Sequence, residues 1–366
     1  MEEYIGTLLE NDVFPGISIL VARNGEIRFK KQYGCKSLVP QKDPLEEHTL
    51  YDLASLTKPL ITAFLTAYLL ENDKTGLSVD TKIRKVFPAL PSYFDITLLQ
   101  LLTHTSGLPA WYPFFLFGED YFSRYNSLPL KSRPGKKVDY SCVGYILLYY
   151  FIEKVTGRPF IENARQVIIK PLGLRHTFLS VPEPLKKTAA PTEAGNRFEK
   201  KLTEQWVKEN ESGDMGDLLQ RLNRFNWRTD VIQGETNDMN SHYLGGTAGN
   251  AGLFSTTEDI FQICREFFPA ASTLLKTETL RLFWKNFTPF KKSHRTMGFK
   301  RNSSFITSGG RALSRKAIGH NGFTGTSVWL DPRRETIVIL LTNRIHPAFK
   351  PLNFDKIRRK LHRLLL

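Results

Sequence analysis

The sequence predicts an α+β protein in which a mostly helical middle is packed on one antiparallel sheet formed by both chain termini. Three observations support this. Two strand-like runs fill residues 16–33 around Asn24-Gly25. A second pair, residues 325–330 and 336–342, flanks the turn Asp331-Pro332-Arg333-Arg334. Helical apolar patterns alternate with Pro-, Gly- and Asn-rich loops between them. The expected division is a single domain over 1–366, with an α/β lobe of about 1–54 and 300–366 and a helical lobe of about 55–299.

The first hairpin rests on Asn-Gly, the pair that best tolerates the positive φ angles of a tight two-residue turn. In the middle, residues 60–70 are apolar with helical spacing, and residues 145–152 form an apolar run ended by Glu153 and Lys154. That run is too short to span a bilayer and reads as a buried helix. Residues 197–226 are rich in Lys, Arg, Glu and Asn with little periodicity, which predicts a surface excursion. At the C-terminal end Phe354, Ile357, Leu361 and Leu364 share one helical face, predicting a terminal helix packed on the fold with its basic face in water.

Composition narrows the function classes. With 366 residues, 41% of them hydrophobic and 12% aromatic, the chain can bury a large core. Its formal net charge of +15 would suit an anionic partner, but no nucleic-acid motif accompanies it, so no nucleic acid is expected. Cys35, Cys142 and Cys264 are widely spaced and make neither a disulfide framework nor a metal-type pair. The acidic start Met1-Glu2-Glu3 shows no signal peptide pattern, which predicts a cytoplasmic protein.

The chemistry begins at Ser55-Leu56-Thr57-Lys58. On a helix this spacing stacks hydroxyl and amine one turn apart, and an amine whose pKa is lowered by burial can accept the serine proton. Tyr140, in Asp139-Tyr140-Ser141-Cys142, precedes a helical run. A phenol near a lysine ammonium is eased toward its ionised form and can pass protons. His320-Asn321-Gly322-Phe323 leads toward the late strand pair, where Gly322 would let a substrate approach the backbone and His320 would be a mostly neutral donor. Lys74-Thr75-Gly76 lies too early, in a turn, to play that part.

Taken in order, Ser-x-x-Lys, Tyr-Ser-Cys and His-Asn-Gly before a strand resemble the serine β-lactamase and penicillin-binding protein superfamily, nearest its class C β-lactamase, esterase and D-aminopeptidase branch. Residues 96–109 and the glycine-rich 245–256 extend the resemblance over nearly the whole chain. It implies a β-lactamase/transpeptidase-like fold and an acyl-enzyme on Ser55, with Lys58 and Tyr140 moving protons. The N–H groups of Ser55 and Phe323 would hold the oxyanion, and no cofactor or metal would be needed. Two departures bear on the substrate. Cys142 stands where many relatives have Asn, and a thiol is a weak substitute for an amide. His320 stands where β-lactamases usually present Lys, and a neutral imidazole suits a carboxylate less. The expected substrates are therefore small esters or amides, with at most weak β-lactam turnover. A D,D-peptidase, D-aminopeptidase or β-lactamase is the alternative within the fold, and a catalytically silent binding protein, for which Cys142 is the main ground, is the alternative outside it. The oligomeric state is left open.

Overall fold

The computed structural model describes residues 1–118, 121–210, 217–304 and 306–366. Its strands are β1 (Gly16–Arg23), β2 (Glu26–Ser37), β3 (Asp43–Pro44), β4 (Leu50–Asp52), β5 (Ala189–Ala190), β6 (Phe254–Ser255), β7 (Lys300–Arg301), β8 (Ile318–Asn321), β9 (Ser327–Asp331) and β10 (Thr336–Thr342). Seven of them form one antiparallel sheet in the order β3-β2-β1-β10-β9-β8-β7. The first and last long strands lie side by side at its centre, with Ile17 opposite Thr342 and Arg23 opposite Thr336. Both expected hairpins form. Asn24 and Gly25 take φ of 53° and 76°, as a two-residue turn between twisted strands requires.

Side-chain alternation along β1 and β10 makes the sheet the middle of three layers. Ile17, Ile19, Val21, Val338 and Leu340 pack under the terminal helices Glu2–Glu10 and Phe354–Leu365, while Leu20, Ala22, Ile337, Ile339 and Leu341 face the helical middle. A small second sheet, in the order β5-β4-β6, was not foreseen, since two- and three-residue strands leave no alternation to read. It matters because β4 delivers the chain to Ser55. The run 145–152 lies, as expected, in a buried helix, Cys142–Thr156.

Two expectations are corrected. The stretch 197–226 is not a loose excursion: it holds helices Arg197–Asn210 and Leu218–Arg224, with Glu199, Thr203, Val207 and Leu218 buried, while 211–216 lie outside the described residues. Its buried face is partly polar, which hides its helical period from any hydrophobic reading. In the terminal helix Phe354 and Leu361 are buried as expected, but Leu364 is exposed, and Arg358 and His362 turn inward instead. Among the described residues no helix is long and apolar enough to cross a membrane.

Candidate active site

Asp52, the last residue of β4, sets the turn that presents Ser55. Its Oδ1 accepts from the Ala54 N–H at 2.8 Å and its Oδ2 from the Asn237 N–H at 2.8 Å. Ala54 sits at φ 46°, a left-handed conformation costing a non-glycine residue about 1–2 kcal/mol, which the surrounding hydrogen bonds hold in place. The helix that follows is composite: a tight turn Ala54–Leu56, a widened π-type segment Lys58–Ala63, then a regular helix Phe64–Asn72. Ser55 and Lys58 nevertheless meet, as their spacing predicts.

Lys58 is fully buried and its three ammonium protons have three acceptors. Nζ donates to Ser55 Oγ at 2.9 Å, to the Asn250 carbonyl at 2.9 Å and to Cys142 Sγ at 3.4 Å. It also lies over the rings of Tyr140 and Tyr145, at 5.0 and 5.7 Å. The expected depression of its pKa is corrected. Burial pulls Lys58 down, but Cys142 and Tyr140 in their anionic forms, with Asp238, hold it above the ordinary lysine value. Tyr140 and Cys142 are pushed up by burial and drawn partly back by Lys58. At neutral pH the cluster is thus an ammonium beside a neutral phenol and thiol, and the groups titrate together. Cys142 is accordingly a packing and hydrogen-bonding thiol, not a low-pKa one.

Tyr140 is held from behind. His104, itself at φ 56°, packs its ring against that of Tyr140, tilted, with centres 4.5 Å apart, and accepts the Ser141 N–H on Nδ1 at 3.1 Å. Ser141 caps the helix Cys142–Thr156 by accepting from the Gly144 N–H and donates to the Pro109 carbonyl at 2.6 Å. Burial keeps His104 neutral, its pKa well below the ordinary histidine value.

The opposite wall is the turn between β8 and β9. Thr324 Oγ1 donates to the Asp52 carbonyl at 2.7 Å and Thr326 Oγ1 to the Leu53 carbonyl at 3.1 Å, clamping this turn to the segment before Ser55. Gly322 is needed for that clamp, because a Cβ there would collide with Thr326 Oγ1 and the Leu53 carbonyl. Gly322 therefore has a packing reason besides its place on the cavity wall. Ser55, Tyr140, His320, Asn321, Gly322 and Phe323 all line one cleft cavity of about 350 Å³. His320 is only 6% exposed, its Nδ1 lies 2.9 Å from the Asn321 carbonyl, and burial, then Lys58 and Arg295, drive its pKa well below the usual range. It is a neutral imidazole. Asn321 is turned aside: its Nδ2 donates to Asp355 and its Oδ1 accepts from Ser308.

Several cleft residues carry no signal in the motifs. Asn250 and His104 lie inside recognised segments without marking themselves out, and Arg295, Lys300, Arg344 and Arg358 line the same cavity from positions no motif covers. Glu199, from the stretch misread as an excursion, accepts from the Met239 N–H and Trp111 Nε1 and is pushed up to about 8 by burial. Among the described residues no group of three or more His, Cys, Asp or Glu side chains could hold a metal ion.

The Beta-lactamase family model matches residues 1–361. The chain is 29% identical over 390 residues to the "N-acetylmuramyl-L-alanine amidase" of Bacillus subtilis (strain 168), covering 95% of this chain and 82% of that one. It is 29% identical over 366 residues to a "Putative D-alanyl-D-alanine carboxypeptidase" of Escherichia coli (strain K12), covering 91% and 79%. Solved structures share the fold. The octameric penicillin-binding protein homologue from Pyrococcus abyssi has a TM-score of 0.71 at 20% identity, covering 100% of this chain and 76% of its own. EstCE1, a hydrolase with promiscuous acyltransferase activity, has 0.72 at 18%, covering 99% and 96%, and a class C beta-lactamase has 0.72 at 18%, covering 100% and 94%.

Proposed function

Because the chain belongs to the beta-lactamase family, we propose that it is a serine hydrolase that opens amide bonds of peptide-like substrates through an acyl-enzyme on Ser55. The observation that carries this is the contact of Ser55 Oγ with Lys58 Nζ at 2.9 Å, inside a cleft that also holds Tyr140 and Phe323. In the reactive form the Lys58–Tyr140 pair has lost one proton. Ser55 Oγ gives its proton to that pair and bonds to the substrate carbonyl carbon. The backbone N–H groups of Ser55 and Phe323 stabilise the oxyanion. Collapse breaks the carbon–nitrogen bond while Tyr140 returns a proton to the departing amine, and water then releases the acyl group by the same relay in reverse.

Amide rather than ester cleavage is favoured by the amidase and carboxypeptidase names of the two relatives, each matched over more than nine-tenths of this chain. The neutral His320 supports ester turnover as a second reading. Intact mass and turnover with a penicillin probe, an N-acyl dipeptide and a nitrophenyl ester, in wild type and Ser55→Ala, test the proposal. An adduct or turnover lost in the variant supports it, and activity that survives the substitution overturns it.

A further inference from the structure

We infer that the outward face of the terminal helix Phe354–Leu365 is a docking surface for a bilayer containing anionic lipid. Lys356, Arg359, Lys360 and Arg363 are spaced i, i+3, i+4, i+7, which lines them along one side of the helix. Phe354, Arg358, Leu361 and His362 are buried on the other side. Together with Arg311 and Leu352 the four cations line a groove of about 960 Å³. Among the described residues no aspartate or glutamate lines that groove, and none of the four helix cations forms a salt bridge. Lys360 lies over the Tyr4 ring at 3.7 Å and Arg359 donates to the Ile306 carbonyl at 2.7 Å. These partners hold the side chains in place and leave their charge uncompensated.

Folding alone gives no reason for this arrangement. Lys356 with Lys360, and Arg359 with Arg363, are like-charged pairs one turn apart, a spacing that disfavours the helix. The chain already carries a formal net charge of +15, so the repulsion is not local only. An anionic surface relieves both.

Apolar neighbours select the kind of anion. Ile306 is 80% exposed and Leu352 44%, one beside Arg359 and the other in the groove itself, and Leu364 next to Arg363 is exposed as well. Against a phosphodiester backbone these side chains would stay in water. Between lipid headgroups they are buried, while the Lys and Arg stems lie along them and keep their charges at the phosphates. The helix's own apolar side is already taken by the terminal-strand core around Phe14, Trp329 and Leu340, so the folded surface docks without the helix inserting. Arg358 reaches the cleft cavity from that buried side, so the cleft lies across the helix from the proposed contact.

The test is co-sedimentation with vesicles of phosphatidylcholine alone and of phosphatidylcholine mixed with phosphatidylglycerol. Binding to the mixed vesicles is expected to be at least about tenfold stronger at low salt and to fade as salt screens the charges. Lys356→Gln, Lys360→Gln and Arg363→Gln combined should weaken it at least about tenfold, whereas Lys74→Gln, Lys137→Gln and Lys170→Gln combined, an equal charge change at exposed lysines elsewhere, should weaken it less than about twofold. Equal loss in the two triple variants makes net charge the cause and overturns the docking face. Equal binding to both kinds of vesicle, or binding to neither, overturns the anionic bilayer as partner, and so does tighter binding to duplex DNA than to mixed vesicles at matched phosphate concentration. Thermal melting checks that both variants fold. Should the helix variant not fold, Ile306→Asp decides: weaker binding to mixed vesicles supports the proposal, and unchanged binding overturns it.

Discussion

Lys58 Nζ donates to Cys142 Sγ across 3.4 Å, the longest of its three hydrogen bonds and the only one to a sulfur acceptor. This contact ties the segment that carries Ser55 and Lys58 to the first residue of Cys142–Thr156. An amide at that place offers a stronger acceptor and a donor for substrate. Cys142→Asn should therefore raise kcat/KM on an N-acyl dipeptide by about tenfold, and Cys142→Ala should lower it by a similar factor, the scale of one hydrogen bond to a charged group.

Charge coupling around Ser55 sets a pH profile. Lys58 and Tyr140 both sit above their ordinary values, so the proton-accepting form of the pair becomes more populated as pH rises past neutrality. Acylation of Ser55 should climb into the alkaline range without a plateau near pH 7. Tyr140→Phe should lower the acylation rate by about 10²–10⁴-fold, read from the pH dependence of kcat/KM.

Gly322 and Gly6 should respond oppositely to alanine. A Cβ at 322 meets Thr326 and the Leu53 carbonyl, whereas one at 6, within helix Glu2–Glu10, meets nothing within 4 Å. Gly322→Ala should cost about 1–3 kcal/mol and reduce turnover by displacing Phe323. Gly6→Ala should stabilise by about 0.5–1 kcal/mol. Urea midpoints of the two variants check both.

Two buried carboxyls make stability fall with pH. Burial raises Asp52 from 3.8 to about 6 and Glu199 from 4.5 to about 8. The folded state therefore binds more protons than the unfolded one, and their contribution, complete at low pH, is lost as pH rises through about 4–6 for Asp52 and 4.5–8 for Glu199. These groups should make Tm fall from pH 5 to pH 8, and Glu199→Gln should flatten the fall; an unchanged slope in that variant would refute the assignment.

Much of the framework was legible because its signals are local. Asn24-Gly25 marks a hairpin by the φ angles it tolerates, and the spacing of Ser55 and Lys58 survives the switch from tight to widened helical turns. The charge state of Lys58 was not legible, since it depends on Cys142, Tyr140 and Asp238, brought close only by folding. Glu199 escaped because its helix buries polar side chains, and Arg295 because an unpaired buried cation looks in sequence like any exposed one. The packing constraint on Gly322 was not legible for a related reason: the Leu53 carbonyl that a Cβ there would meet lies on a segment distant in sequence.

The central pairing of β1 with β10 also has a kinetic meaning. Sheet contacts between β1 and β10 join segments far apart in sequence, and pairings of such high contact order form slowly. The clamp from Thr324 and Thr326 to the segment before Ser55 depends on those same late residues. A chain still emerging from the ribosome, or one shorn of its final strands, lacks the wall that carries Phe323. A formed cleft therefore waits on the pairing of β1 with β10, and the first turnover doubles as a report that this long-range pairing has been made.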